Sequence, residues 1–262
     1  MIKSLVTKLK WYLKPIVEND IYLQSAGMFL LRRIPVLLPH DPDYHALRHF
    51  FQNDDEKVFL DIGANVGLSA LSFRRLNRNM KIVSIEPNPI HTESLSKIKK
   101  NDLAFDYKMV AAGDKRGEME LYVPSVGSVV LHTIAALSYD DVRKGCDMVL
   151  APRYRTRVKI KSYKVSILTI DEMEIAPQII KIDAEGAEEK VLIGAEKTIQ
   201  KHRPYLMVEN NPWYFKNSQN ILSKWGYELF HYDQKQDRLT REVLKARNAF
   251  FIPKEKMQNL SL

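Results

Sequence analysis

Acidic and amide side chains stand directly after two mostly apolar runs in the second half of the chain, and their types suit proton transfer or metal binding. Asp183 and Glu185 follow the first run, and Glu209 and Asn210 follow the second. Because the carboxyl ends of neighbouring parallel strands meet at one edge of a sheet, we expect these groups to converge there. A carboxylate in contact with a hydroxyl can act as a general base. Carboxylate and amide oxygens also suit Mg²⁺.

We therefore take Asp183, Glu185 and Glu209 as candidate catalytic residues, with His132 as a further candidate base. Asp183, Glu209 and Asn210 are the candidate Mg²⁺ ligands. Without a metal, Glu185, Glu209 or His132 would serve as the base.

Structural explanations for the same residues stay open. Lys181 and Asp183 lie on one face of the predicted strand, two residues apart, where a buried ion pair could be their whole purpose. Glu185 and Glu188 could simply stabilise the first turn of the helix that follows.

A strand, a glycine turn and a helix are predicted around the segment Val58–Gly67, an arrangement that binds nucleosides in open α/β sheets. A dinucleotide fingerprint needs glycine at its first, third and sixth positions, so that backbone can approach a pyrophosphate. Counted from Gly63, those later positions are Asn65 and Leu68, whose side chains would obstruct it. S-adenosylmethionine carries no phosphate, and Asp61 could face its ammonium group. The spacing therefore favours S-adenosylmethionine over a dinucleotide.

A second strand ends in Glu86, close to the position, about 20 residues on, at which nucleoside-binding folds place a ribose carboxylate. Asp114 follows a third strand, where it could meet an adenine amino group or serve only as a turn residue. The candidate donor-binding residues are Asp61, Gly63, Asn65, Gly67, Glu86 and Asp114.

The elements that position these residues alternate between strand and helix from Val58 onward, which predicts an α/β fold. We expect a seven-stranded, mostly parallel sheet with helices on both faces. Its third strand is predicted at 107–112, and one helix is predicted at 187–201. We expect residues 1–50 to form a helical extension and residues 51–262 the main domain, interrupted at 115–170 by an antiparallel insertion. The insertion is predicted irregular between its strands, and we expect it to hold the acceptor.

Composition is that of a globular protein, with 262 residues, 45% hydrophobic and 27% charged. No segment reaches the ~20 apolar residues needed to span a membrane, and the start shows no signal-peptide pattern. The single cysteine, Cys146, excludes an internal disulfide and a cysteine-based metal site. We therefore expect a cytoplasmic protein.

The formal net charge of +8 suits an anionic partner, although it also serves solubility. Lysines flank an apolar stripe at helical spacing in residues 1–17. This helix could cap the core domain, or it could make peripheral contact with the inner face of a membrane.

Taken together and in order, five motifs resemble the FkbM family of methyltransferases over about residues 58–230. The motifs are Phe59–Gly67, Ile85–Pro89, Ala112–Asp114, Ile170–Asp171 and Lys181–Glu188. The resemblance implies a class I, Rossmann-like S-adenosylmethionine fold and O-methylation of sugars, polyketides or other natural products. It also implies that Asp61, Gly63, Asn65, Glu86 and Asp114 bind the donor. Asp183, Glu185 and Glu209 would then face the acceptor.

Other functions remain as alternatives. An RNA ribose 2′-O-methyltransferase would suit the basic charge, but Glu209 stands where such enzymes are expected to carry a lysine, and its carboxylate would repel a phosphate backbone. Nucleic acid is therefore not the expected partner, and a small-molecule or glycan acceptor is. An NAD-dependent sugar oxidoreductase is disfavoured by Asn65 and Leu68. A non-catalytic S-adenosylmethionine-binding module is the last alternative, and the oligomeric state is left open.

Overall fold

The computed structural model describes residues 39–51, 57–131, 134–212, 214–244 and 246–259. These residues form two compact units, one made of residues 120–163 and the other of residues 39–119 with 164–259. Residues 1–38 of the predicted helical extension, including its possible membrane-contacting stretch at 1–17, lie outside the described residues. Within the described residues, no helix is both long and apolar enough to cross a membrane.

The larger unit is built on a mixed sheet that contains eight strands among the described residues. Their order is β11-β10-β12-β9-β8-β1-β2-β3. The strands of the chain are β1 (Val58–Ile62), β2 (Lys81–Ile85), β3 (Phe105–Lys108), β4 (Ala111–Ala112), β5 (Gly117–Val126), β6 (Val129–Val130), β7 (Val158–Leu168), β8 (Pro177–Ile182), β9 (Tyr205–Glu209), β10 (Tyr227–Asp233), β11 (Arg238–Thr240) and β12 (Asn248–Pro253).

Five adjacent strands, from β3 to β9, pair in parallel, and β12, β10 and β11 add antiparallel pairs. The fold is therefore the expected Rossmann-like α/β architecture, with eight strands where seven were predicted. The additional strand is β11, a short edge strand that pairs with β10.

Helices cover both faces of this sheet. The α-helices of the described residues are α1 (Leu68–Leu76), α2 (Thr92–Asn101), α3 (Tyr139–Val149), α4 (Pro152–Arg155), α5 (Glu188–Ile193), α6 (Glu196–His202) and α7 (Phe215–Lys224). On one face, Phe59 of β1 is buried with Phe73 of α1, and their rings stack 4.0 Å apart. On the other face, Leu60 is buried with Val191 and Leu222 of α5 and α7.

A 3₁₀ helix spans Pro42–Phe50, within the range that was expected to be helical. The Asp41 carboxylate accepts the backbone N–H of Asp43 at 2.9 Å and so caps the helix. Phe50 is buried and stacks on Tyr205 of β9, with 4.4 Å between ring centroids. This helix therefore joins the core of the large unit. Shorter 3₁₀ helices occupy Pro89–His91, Asp171–Met173 and Lys254–Asn259.

The unit of residues 120–163 has an apolar interior of its own. Val142 and Cys146 of α3 are buried against Val126 of β5 and Tyr154 of α4. The expectation of an irregular segment between the strands was wrong, because α3 and α4 lie there. Ser138 caps α3, with its hydroxyl accepting from a backbone N–H in the first turn.

Two element predictions need correction. The strand expected at 107–112 is two strands, since β3 ends at Lys108 in the large sheet and β4 pairs with β7 in a second sheet. The helix expected at 187–201 is broken at Gly194 into α5 and α6. A Cβ atom at Gly194 would lie 1.9 Å from the carbonyl oxygen of Gly113, so close backbone packing requires glycine at the break.

Candidate functional site

The turn after β1 is shaped by glycines that adopt left-handed backbone conformations. Gly63 has φ +78° and Gly67 has φ +88°, and α1 begins directly after Gly67. A Cβ atom at Gly63 would lie 1.7 Å from the carbonyl oxygen of Asp183. The turn therefore packs directly against the end of β8. Asn65 completes the left-handed stretch, with φ +51°.

Glu86, at the end of β2, holds this turn from the side. One carboxylate oxygen accepts the backbone N–H of Asn65 at 2.7 Å, and the other accepts the N–H of Asn88 at 2.8 Å. Burial raises the pKa of Glu86, although these two hydrogen bonds oppose the rise. A carboxylate offers about four acceptor positions, so roughly two remain for ribose hydroxyls. The site therefore fits a nucleoside.

Lys181 stands at the centre of the site, with its ammonium group almost fully buried. Its Nζ atom donates to the carbonyl oxygen of Gly63 at 2.8 Å and to that of Ile62 at 3.3 Å. It also lies 3.4 Å from Asp61 and 3.5 Å from Asp183. Burial by itself would lower the pKa of Lys181, but attraction to the two carboxylates outweighs burial and raises it. The ion pair considered from sequence is therefore present, and it includes a second carboxylate.

Asp61 is fully buried, and its contacts are with protein groups. Ser69 donates to its carboxylate at 2.5 Å and Ser84 at 3.0 Å. Asp61 is also the register partner of Lys181 across β1 and β8. The structure thus places Asp61 beneath the turn, and direct contact with the donor ammonium group stays a prediction.

Glu209 ends β9 beside this cluster and is half-buried. One of its carboxylate oxygens is buried without a hydrogen-bond partner among the described residues. Burial raises the pKa of Glu209 to about 7, and repulsion from Asp183 and Glu185 adds to the effect. A carboxyl group with a pKa near neutrality is matched to general-base work.

Glu185 and Glu188 occupy the turn between β8 and α5 and differ in role. Glu188 is buried, and its carboxylate accepts the backbone N–H groups of Ala184 and Gly186 at 2.9 and 3.1 Å. It therefore closes the turn that precedes α5. Glu185 has φ +49° and is solvent-exposed, yet desolvation by surrounding atoms, with repulsion from Asp183, raises its pKa. Its side chain is open to water, and its role as a catalytic residue stays a prediction.

Asn210 and the segment before β12 border Glu209. The side-chain amide of Asn210 donates to the carbonyl oxygen of Ala246 at 3.2 Å, and its backbone N–H donates to that of Arg247 at 2.8 Å. Arg247 is exposed and lowers the pKa of both Glu209 and Glu185. Its cation thus lies near the acidic rim.

The expected Mg²⁺ site at Asp183, Glu209 and Asn210 finds no support. Among the described residues, no three His, Cys, Asp or Glu side chains are grouped so that they could hold a metal. Asp183 is already paired with the Lys181 ammonium group, 3.5 Å away, which disfavours a second cation at its carboxylate. The donor set therefore does not fit a divalent cation.

His40 and Tyr44, in the segment before β1, lie at the site, although no sequence motif pointed to them. The Nδ1 atom of His40 lies 2.7 Å from the hydroxyl of Ser72. Burial lowers the pKa of His40 to about 4, with repulsion from Lys181 adding to it, so the ring is neutral at pH 7. Tyr44 is fully buried, and burial raises its pKa well above the usual range, while Ser69 hydrogen-bonds to it. Their proximity comes from tertiary packing, which no local pattern encodes.

Asp114 is exposed and follows β4, which belongs to the second sheet, so its contact with adenine stays a prediction. His132 lies outside the described residues. In the small unit, Arg155 donates to the carbonyl oxygen of Leu150 at 2.9 Å, and the Arg153 guanidinium lies 4.8 Å from the ring of Tyr154.

A crystal structure of an FkbM methyltransferase from Methylobacillus flagellatus KT is similar with a TM-score of 0.50 and 16% identity, over 79% of this chain and 47% of that one. This chain therefore matches about half the length of that protein, and the likeness shows the fold. A putative caffeoyl-CoA O-methyltransferase from Staphylococcus aureus aligns at 10% identity and a TM-score of 0.45, over 95% of this chain and 97% of that one.

A comparison with curated proteins found no match. The family model described as "Methyltransferase FkbM domain" matches residues 61–229, which is well over half of the 262-residue chain. That range begins at Asp61 in β1 and includes Glu86, Lys181 and Glu209. The chain therefore belongs to the FkbM methyltransferase family.

Proposed function

We propose that the protein is an S-adenosylmethionine-dependent O-methyltransferase that acts on a hydroxyl group of a sugar, a glycan or another natural-product small molecule. The observation that carries this proposal is Glu209, a half-buried carboxyl group with a pKa of about 7 beside the donor-side turn. A hydroxyl is a poor nucleophile at neutral pH and gains most from a base of this kind.

The donor-side residues support a bound nucleoside. Glu86 would accept the ribose hydroxyls with the oxygen positions that Asn65 and Asn88 leave open. The glycines at positions 63 and 67 let the turn pack directly against the end of β8 and against the side chains of α2, which fixes its shape beside the proposed ligand. When bound, S-adenosylmethionine supplies an electrophilic methyl group on a sulfonium.

The acceptor-side residues would handle the proton. Glu209, in its ionised form, accepts the proton of the acceptor hydroxyl as the oxygen–methyl bond forms and the sulfur–methyl bond breaks. Asp183 is held in place by Lys181 and would orient the hydroxyl with a hydrogen bond. Most of the rate enhancement would come from this alignment of the reacting groups.

No metal is needed for this scheme, because a carboxylate of raised pKa performs the deprotonation. Treatment with EDTA is therefore expected to leave the rate of methyl transfer unchanged. A rate that falls with EDTA and returns with Mg²⁺ would replace the general-base scheme.

The unit of residues 120–163 is proposed to help hold the acceptor. Lys159 and Lys161 are exposed on one face of β7, and the exposed Arg157 directly precedes the strand. Cations on one strand face can pair with carboxylate or phosphate groups of a glycan or a nucleotide-linked sugar. This supports an anionic acceptor over a neutral one.

The proposal is tested with purified protein, methyl-labelled S-adenosylmethionine and a panel of hydroxyl acceptors. The panel contains free sugars, sugar acids, nucleotide-linked sugars, a polyketide alcohol and unmodified RNA. We expect transfer to a small-molecule hydroxyl that is lost in Glu209→Gln. Transfer to RNA ribose alone would favour the RNA alternative, and absence of S-adenosylmethionine binding would refute the proposal.

A further inference from the structure

The ammonium group of Lys181 contacts both halves of the site. Its Nζ atom donates to the carbonyl oxygens of Ile62 and Gly63 at 3.3 and 2.8 Å, on the donor side. On the acceptor side it lies 3.5 Å from the carboxylate of Asp183. The carboxylate of Asp61, 3.4 Å from the Lys181 Nζ atom, supplies a further negative charge. One cation therefore connects the glycine turn with the acidic rim.

Burial of the Lys181 ammonium group costs desolvation free energy, which argues that this residue has a role beyond packing. A buried ammonium and its carboxylates lose hydration, and replacing such a group by apolar side chains is often neutral or stabilising. The neighbouring residues of β8, Ile180 and Ile182, show that apolar side chains pack well in this strand, since both are fully buried. Packing alone therefore gives no reason for a lysine at position 181.

The contacts with backbone oxygens point to the purpose. The carbonyl oxygens of Ile62 and Gly63 belong to the turn whose next residues carry the left-handed conformations. A Cβ atom placed on Gly63 would lie 1.7 Å from the carbonyl oxygen of Asp183, so the two segments pack closely against each other. A small shift of either segment would therefore displace the other.

We propose that Lys181 is a positioning residue, which fixes the donor-binding turn and Asp183 relative to each other through its bonds to Gly63 and Asp183. The inference rests on the proposed function, because it assigns the turn to S-adenosylmethionine. Lys181 itself touches neither substrate. It acts by keeping two substrate-facing segments in register.

The test compares S-adenosylmethionine affinity by calorimetry in Lys181→Met, Lys181→Arg and Ile180→Val. Ile180→Val is the matched control, since it loosens packing on the opposite face of the same strand. We expect Lys181→Met to weaken binding by at least about tenfold, because the turn loses its donor. Lys181→Arg keeps the cation and should restore affinity to within about threefold of wild type. Ile180→Val should stay within about twofold.

If Lys181→Met does not fold, the same measurement is made on Lys181→Met/Asp61→Asn, which also removes the fully buried carboxylate and leaves only the partly exposed Asp183 without its cation. The reference is then Asp61→Asn alone, and the double variant should bind at least about tenfold more weakly than that reference. Equal affinity in the two proteins would overturn the inference. So would a folded Lys181→Met that binds like wild type. Wild-type protein without measurable binding would instead refute the proposed function.

Discussion

Glu86 accepts the backbone N–H of Asn65 at 2.7 Å, so the carboxylate at the end of β2 holds the turn that follows β1. Its second oxygen accepts the N–H of Asn88. The same side chain is the proposed partner of the donor ribose. On our proposal, the Glu86 carboxylate therefore both shapes the turn and binds the nucleoside.

Glu86→Ala is expected to weaken S-adenosylmethionine binding by roughly 1–3 kcal/mol, because buried donors lose their acceptor. Isothermal calorimetry measures the change. The matched control is Glu93→Ala, which removes an exposed carboxylate paired with Lys97 and should leave affinity unaltered. Unchanged affinity in Glu86→Ala would refute the ribose role.

Glu209→Gln is expected to lower kcat by about 10²–10⁴, the usual contribution of a general base. In wild type, kcat/KM should rise with pH and level off above about 7, because burial raises the pKa of Glu209 to about 7 and only the ionised form accepts a proton. The variant should lack this rise. Glu228→Gln, which disrupts an exposed pair with Arg241, serves as the control. A pH profile shared by wild type and Glu209→Gln would remove the base assignment.

The raised pKa of Glu209 also predicts a stability effect, with a sign opposite to that of a salt-bridged carboxylate. Between its ordinary value of 4.5 and about 7, the folded state binds the proton more tightly than the unfolded state. The free energy of unfolding therefore falls as pH rises through this window. Glu209→Gln should be more stable than wild type at pH 8, by about 1 kcal/mol after allowance for solvent screening. Urea denaturation at pH 4 and pH 8 measures this, and an equal difference at both values would contradict it.

Gly63→Ala is expected to destabilise the protein by at least ~2 kcal/mol, because its Cβ atom would overlap the Asp183 carbonyl oxygen in a left-handed backbone conformation. Gly117→Ala in β5 is the control, since a Cβ atom there meets nothing within 4 Å. Thermal unfolding compares the two. A Gly63→Ala protein with the same melting temperature as wild type would show that the turn is free to move.

The strands that carry the site were predictable from sequence because each is a short, apolar run ended by a polar residue. β1 begins at Val58, at the start of the segment in which a strand was predicted, and β9 ends at Glu209. The break between β3 and β4 was not predictable, since Met109 and Val110 continue an apolar pattern while the chain passes to another sheet.

The parts of the site that sequence reasoning missed depend on tertiary contacts. His40 approaches Ser72 across 32 positions of sequence. The partnership of Lys181 with Asp61 follows from the parallel register of β1 and β8, and the strand order cannot be derived from either segment alone. Helix α3 was missed because it buries only Val142 and Cys146, which is too few for a clear stripe.

The separate interior of residues 120–163 has a consequence for engineering. Val126, Val142 and Cys146 are buried against each other within that unit, so its exposed side chains can be exchanged without disturbing that interior. On our proposal, such exchanges would alter the choice of acceptor while leaving the proposed nucleoside-binding turn unchanged.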